Sequence, residues 1–189
     1  MESLRSPSPI PRLPRGLRTR FAPSPTGFLH LGHVASAIYV WGLARRHGAD
    51  IVLRIEDHDQ QRSRKSYESS ILEDLKWLGF EADHGVKAVD SPSAFRQSDH
   101  WDRYGKALEQ LGEQVYHCQC SRKEILDRTP QSHEELCYDG FCRDRNNGPN
   151  LRVRLEREAQ DFDDQILGHQ TQTPADQCGD LLIRDRDGY

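Results

Sequence analysis

The chain has 189 residues, of which 35% are hydrophobic and 30% charged, with a formal net charge of −4. That length suits one domain with a small insertion, and a core large enough to need no disulfide staple. The slightly acidic balance excludes a generally basic surface, so an RNA partner would have to meet a local patch.

Residues 1–16 hold four prolines and three arginines, and no apolar run long enough for a signal peptide or a membrane span. They read as a flexible tail on a cytoplasmic protein that has no membrane partner. Residues 17–21 alternate apolar and basic side chains, as a short strand does. Pro23 and Pro25 then flank Ser24, which favours an extended turn. Residues 34–47 place Val34, Ile38, Trp41 and Ala44 or Arg45 at helical spacing, with Gly48 as the stop. Residues 50–55 (DIVLRI) form a compact apolar run typical of a buried parallel strand. Strand, helix, strand at this length is a βαβ unit. Residues 66–78 and 98–111 read as further helices, ended by Gly79 and Gly112. Residues 115–120 read as a strand, residues 146–150 as a loop, and 151–155 and 181–184 as later strands of the half-buried kind.

The stretch "TRFAPSPTGFLHLGH" (residues 19–33) joins the first strand to the first helix. A Gly-bearing turn before a helix gathers backbone N–H groups and the positive helix end at one spot, which suits an anion. Gly27 and Gly32 remove side chains where a ligand could approach, and His30 and His33 can donate to phosphate oxygens. Spacing alone leaves two readings open: a nucleotide site, or histidines that cap a helix.

Several segments together carry a resemblance. "RFAPSPTGFLHLGH" resembles the start of the class I glutamyl-tRNA synthetase catalytic domain, with His30-Leu31-Gly32-His33 in place of its HIGH-type motif. "LRIEDHDQQRSR" (53–64) resembles the RIEDxD segment of that family. "ILEDLKWLGF" (71–80), "FRQSDHWDRYGKAL" (95–108) and "GDLLIRDRDGY" (179–189) resemble its later segments, in the family's order. The resemblance implies an α/β fold: the first half of a Rossmann-like catalytic domain over 17–112, a zinc-binding insertion over 113–150, and residues 151–189 returning toward a second half.

The resemblance also implies a chemistry. L-Glutamate would be bound by Arg20, Phe21, Ala22, Pro23, Ser24 and Glu56, the guanidinium taking a carboxylate and Glu56 the ammonium. ATP with Mg²⁺ would lie on Pro23, Gly27, His30, Leu31, Gly32 and His33. His30 and His33 would be the catalytic pair, steadying the phosphates while a glutamate carboxylate attacks the α-phosphate. Arg54, Asp57 and Asp59 would be structural.

Five cysteines, four of them at 118, 120, 137 and 142, fit no dispersed disulfide framework and suggest one tetrahedral zinc ion. Spacing leaves open four reduced cysteines in a small core, and its simplest ligand set is Cys118, Cys120, Cys137 and Cys142. Cys-x-Cys followed by Tyr-x-x-x-Cys resembles the glutamyl-queuosine tRNA(Asp) synthetases, a short paralogous group. That resemblance implies Cys118, Cys120, Tyr138 and Cys142 as ligands, with Cys137 the rival of Tyr138. It implies transfer of glutamate to queuosine in tRNA(Asp), against tRNA(Glu) for an ordinary glutamyl-tRNA synthetase. A non-catalytic zinc-bearing nucleotide- or RNA-binding module is the alternative of another class. Cys178 reads as a buried thiol. Arg62 and Arg64, or Arg143 and Arg145, are the candidate tRNA contacts.

Lys65, Lys76, Lys87, Lys106 and Lys123 are the only lysines, and none stands in a KMSKS-type loop. The expectation is a monomer that needs a second half for full activity, and weak or absent glutamate-dependent pyrophosphate exchange by these 189 residues alone.

Overall fold

The computed structural model describes residues 16–129, 136–164 and 167–188. Apart from Gly16, the expected tail lies outside the described residues, as does Tyr189. The described chain divides into two compact units, 16–105 and 106–188.

In the first unit, β1 (Arg18–Phe21), α1 (Leu31–His47) and β2 (Asp50–Leu53) form the expected βαβ unit, with β1 and β2 parallel. The register pairs Arg20 with Val52 and Phe21 with Leu53. α2 (Lys65–Trp77) follows, and β3 (His84–Gly85) joins β2 in parallel, giving the order β1-β2-β3. The expected strand over 50–55 ends at Leu53, because Ile55 leaves the ladder for an isolated bridge to Arg96. The helix expected from Ser98 begins instead as a 3-10 turn, Gln97–His100, before α3 (Trp101–Leu111).

Phe21, Trp41, Ile51, Leu53, Ile55, Ile71 and Leu75 are buried together as the core. Burial of a large apolar side chain contributes about 1.5–3 kcal/mol. Phe21 meets Trp41 edge-on, with centroids 5.5 Å apart. The buried stripe of α1 is Ala37, Trp41 and Ala44, not Val34 and Ile38. Ile38 is exposed. Alanines on the inner face let the helix axis approach the strands, which a branched residue would hold off.

In the second unit, β4 (Val115–Cys118), β5 (Asn150–Val153) and β8 (Leu181–Arg184) make an antiparallel sheet in the order β4-β5-β8. α4 (Arg122–Arg128) opens with a capping box between Ser121 and Glu124. β6 (Gln160–Asp164) and β7 (Gly168–Gln172) form a separate two-stranded pair, and α5 (Pro174–Cys178) leads to β8. Sequence reading expected none of α4, α5, β6 and β7. It took residues 151–155 as half-buried. The strand instead starts at Asn150, and Asn150, Leu151 and Arg152 are all buried. The core here is Tyr116, Cys118, Cys120, Ile125, Tyr138 and Cys142.

Candidate functional site

An open cleft of about 620 Å³ lies over the turn between β1 and α1. Its walls include Arg20, Phe21, Ala22, Pro23, Ser24, Gly27, His30 and His33, together with Thr26, Phe28, Ser36 and Val40. Phe21, Pro23 and Pro25 are buried, while Arg20 and Ser24 face solvent. Apolar anchors thus fix the turn, and its polar side chains stay free for a ligand. Arg20 pairs with no carboxylate among the described residues. Glu56 is not part of the cleft walls but is adjacent in backbone: its N–H donates to the Pro23 carbonyl at 3.1 Å. Its carboxylate stands 3.6 Å from Arg54 Nε, and Arg54 also donates to the Tyr104 hydroxyl at 2.6 Å.

His30 caps α1. Its Nδ1 accepts from the Gly32 amide at 3.1 Å, and Nδ1 of His33 accepts from the His30 amide at 3.2 Å. The two readings of these histidines therefore do not compete. Because both Nδ1 atoms accept, each neutral ring carries its proton on Nε2, so the cap sets a donor on each ring. The rings lie 3.9 Å apart. Burial, then the neighbouring His30, hold the His33 imidazole below its usual range. The amides of Gly32, His33 and Val34 all have acceptors on His30. The imidazoles, more than the first-turn amides, are what this helix start offers an anion. Leu31 and Gly32 are exposed at its first turn.

Asp57 accepts from the Ser98 amide at 2.9 Å and its hydroxyl at 2.6 Å, a structural tie. Asp59 is tied to Arg62.

In the second unit, the Sγ atoms of Cys118, Cys120 and Cys142 lie within 4.8 Å of one another. The Tyr138 hydroxyl is 3.4 Å from Cys118 Sγ and 4.0 Å from Cys120 Sγ. Cys137 turns away, its Sγ toward the Asp176 carbonyl at 3.8 Å. Around a tetrahedral zinc ion, with Zn–S of about 2.3 Å and Zn–O of about 2.0 Å, two sulfurs stand about 3.8 Å apart and a sulfur and an oxygen about 3.5 Å. The Cys120–Cys142 separation of 3.6 Å and the Cys118–Tyr138 separation of 3.4 Å are compatible with that donor set.

Two glycines press backbone against these residues. A Cβ on Gly148 would stand 2.4 Å from the Gln119 nitrogen, and one on Gly179 would stand 2.1 Å from the Tyr138 carbonyl oxygen. The Tyr138 amide donates to the Cys178 carbonyl at 2.9 Å, so Tyr138 is clamped on its backbone. Cys142 donates its own amide to the Tyr138 hydroxyl at 2.9 Å. Burial pushes the Cys120 thiol up to about 11. Burial acts the same way on Cys118, but hydrogen bonds with Tyr138 and Arg152 outweigh it and the net direction is down. Burial, then the bond to Cys118, hold the Tyr138 hydroxyl far above its usual range.

Sequence reading missed Arg128, Arg152, Gly148, Gly179 and Asp180 around this group. The candidate tRNA contacts have internal partners: Arg62 on Asp59, Arg64 on two carbonyls, Arg143 on Asp180, and Arg145 over the Phe141 ring. Cys178 is half-buried, not buried, with its thiol on the Pro174 carbonyl. Among the described residues no helix is long and apolar enough to cross a membrane.

A parallel βαβ unit whose first turn opens a cleft, followed by a cysteine-bearing antiparallel unit, defines a class. Residues 16–188 match the family described as tRNA synthetases class I (E and Q), catalytic domain, and the chain belongs to that family. It is 34% identical over 187 residues to the glutamate–tRNA ligase of Sulfurihydrogenibium sp. (strain YO3AOP1), covering 90% of this chain and 39% of the relative. It is 38% identical over 189 residues to that of Symbiobacterium thermophilum, covering 91% and 39%. Among solved structures, a glutamate tRNA ligase from Elizabethkingia meningosepticum in complex with its amino acid superposes with a TM-score of 0.70 at 27% identity, over 92% of this chain and 39% of that one. The chain thus spans about two fifths of the length of these relatives.

Proposed function

We propose that the cleft between β1 and α1 binds L-glutamate and ATP and serves their joining into glutamyl-adenylate. The observation that carries this reading is the arrangement of Arg20 to Ser24 and the two capped histidines along one cleft. It agrees with the relatives being glutamate–tRNA ligases and with the similar solved structure being in complex with its amino acid. Arg20 would take a glutamate carboxylate through its planar fork, with Phe21, Ala22, Pro23 and Ser24 shaping the pocket and Glu56 taking the ammonium. The ATP would lie along Pro23, Gly27 and the His30-Leu31-Gly32-His33 start of α1. The glutamate carboxylate attacks the α-phosphate and pyrophosphate leaves. The Nε2–H groups of His30 and His33 would donate to the phosphate oxygens as charge builds, and Mg²⁺ would share that charge. No side-chain nucleophile is needed.

Under this reading Cys118, Cys120, Tyr138 and Cys142 hold one structural zinc ion, which would cross-link β4 to the 136–142 loop. The 3.4 Å approach of the Tyr138 hydroxyl, with Cys137 turned to Asp176, favours the oxygen over the fourth thiol. The same Tyr-x-x-x-Cys pattern supports queuosine of tRNA(Asp) as the acceptor. The names of the relatives support tRNA(Glu) as the second reading.

Calorimetric titration of the chain with glutamate and with ATP tests the cleft. Arg20→Ala should weaken glutamate binding tenfold or more and leave ATP binding unchanged, since about 1.4 kcal/mol corresponds to tenfold. Unchanged glutamate binding in that variant would refute the assignment. Labelled glutamate offered with tRNA(Asp) and tRNA(Glu), to the chain and to any longer form, decides the acceptor: label on tRNA(Glu) overturns the queuosine reading. Pyrophosphate exchange by the 189 residues alone should be weak, because they carry no KMSKS-type loop.

A further inference from the structure

Arg152 is a buried guanidinium that meets no carboxylate among the described residues. It stands on β5, 7% exposed. Its Nε donates to Cys118 Sγ at 3.4 Å, its Nη1 donates to the Asp180 carbonyl at 2.7 Å, and its plane covers the Tyr138 ring at 3.8 Å. Among the described residues, no ion pair includes it. The carboxylate of Asp180 is taken by Arg143, the Tyr116 hydroxyl and the Leu155 amide. The other cation on the cysteine group differs. Arg128 donates to Cys120 Sγ at 3.3 Å, but Asp139 accepts from its Nε at 2.5 Å and from its Nη2 at 3.2 Å. Arg128 therefore arrives already neutralised, and Arg152 does not.

A buried ion without a partner costs several kcal/mol, so a chain that keeps one must place negative charge against it. Among the described residues, the groups in contact with this guanidinium that can carry such charge are Cys118 and Tyr138. Metal ligation provides it, because thiol and phenol donors bind zinc only in their deprotonated forms. Three such sulfurs and one such oxygen outweigh the charge of a dipositive ion, and the excess needs a cation nearby. A guanidinium on the ring face also favours an electron-rich ring.

We propose that Arg152 is the charge partner of the Cys118–Cys120–Tyr138–Cys142 metal site, and the residue that positions Tyr138 as its oxygen donor. The proposal rests on the zinc reading above. It makes Arg152 a positioning residue whose contribution exists only when the metal is bound.

Zinc affinity of the full chain, measured by competition with a coloured chelator, tests it. Arg152→Met should weaken zinc about 10–100-fold, the usual effect of removing an outer partner of a metal ligand. Arg152→Lys, which restores the charge, should recover most of that loss. Thermal unfolding supplies the readout that a merely structural arginine would not give. Arg152→Met should lower the midpoint of the zinc-loaded chain and leave that of the chelated chain equal or higher. An equal drop in both, or wild-type affinity in Arg152→Met, overturns the proposal. Should Arg152→Met fail to fold, Arg152→Lys against Arg152→Gln makes the same comparison: the lysine form should bind zinc more tightly, and equal affinities overturn the proposal. A wild-type chain that takes up no zinc overturns the metal reading and this proposal with it. One equivalent of zinc held equally by wild type and Arg152→Met overturns the role of Arg152 alone.

Discussion

Arg96 in the first unit and Arg152 in the second are equally hidden, each 7% exposed, yet their surroundings are opposite. Arg96 donates to Glu68 at 2.5 Å and Asp99 at 3.2 Å, and to the carbonyls of Ala88, Val89 and Ser91. Its charge is balanced inside the fold, and it ties α2 to the 88–99 segment. Arg152 meets sulfur, a ring face and a single carbonyl. Arg96 completes its own unit; under the proposal above, Arg152 answers negative charge that its neighbours Cys118 and Tyr138 would take on only with a metal bound. If the proposal holds, the balance of charge around a buried arginine separates a structural residue from one that serves a ligand.

The strongest way to break this contrast is Arg96→Met. Leaving Glu68 buried and unpaired should cost about 3–5 kcal/mol, with the same loss in denaturant titrations with and without chelator. A chelator-dependent loss would erase the distinction from Arg152. Next is Gly179→Ala, where φ is +64° and the new Cβ would meet the Tyr138 carbonyl. It should cost on the order of 2–3 kcal/mol and weaken zinc retention, measured by metal analysis after dialysis. Asp180 then gives the pH dependence. Burial raises its carboxyl, but Arg143 and Tyr116 outweigh burial and hold it below the usual carboxylate range. Its contribution to stability is complete above about pH 4 and is lost as pH falls through the lowered folded value. Acid titration followed by circular dichroism should therefore show a steeper loss below about pH 4 in wild type than in Asp180→Asn. His30→Ala removes the N-cap of α1 and should cost about 1 kcal/mol in thermal unfolding, with weaker ATP binding. Arg62→Ala, which breaks a surface pair with Asp59, should change stability by less than about 0.5 kcal/mol.

The βαβ unit was legible because Ile51, Val52, Leu53 and Ile55 crowd into one short run and Gly48 marks the end of the preceding helix. The inner face of α1 was misread, since Ala37 and Ala44 carry a weaker hydrophobic signal than Val34 and Ile38. The short elements α4 and α5, of seven and five residues, and the polar pair β6–β7 have too little apolar periodicity to stand out. Arg152 made 151–155 read as half-buried, because arginine alternating with apolar residues signals a solvent face. Its burial comes from Cys118 and Tyr138, which lie on other segments. At the site, Arg20 to Ser24 and His30 to His33 were legible as neighbours in sequence. Glu56 was legible only through the resemblance, and it reaches the turn by one backbone hydrogen bond. Gly148 and Gly179 gave no signal, because the need for glycine there comes from chain that lies far away in sequence.

The backbone clamp on Tyr138 has a consequence in time. The four proposed metal donors all lie between residues 118 and 142, whereas Gly179, Cys178 and Asp180, which hold Tyr138 and its surroundings, follow some forty residues later. A ribosome releases the donors first. The nascent chain would therefore offer all four proposed donors before residues 178–180 exist to align Tyr138, and under the zinc reading capture of the ion would precede the folding step that shapes its site.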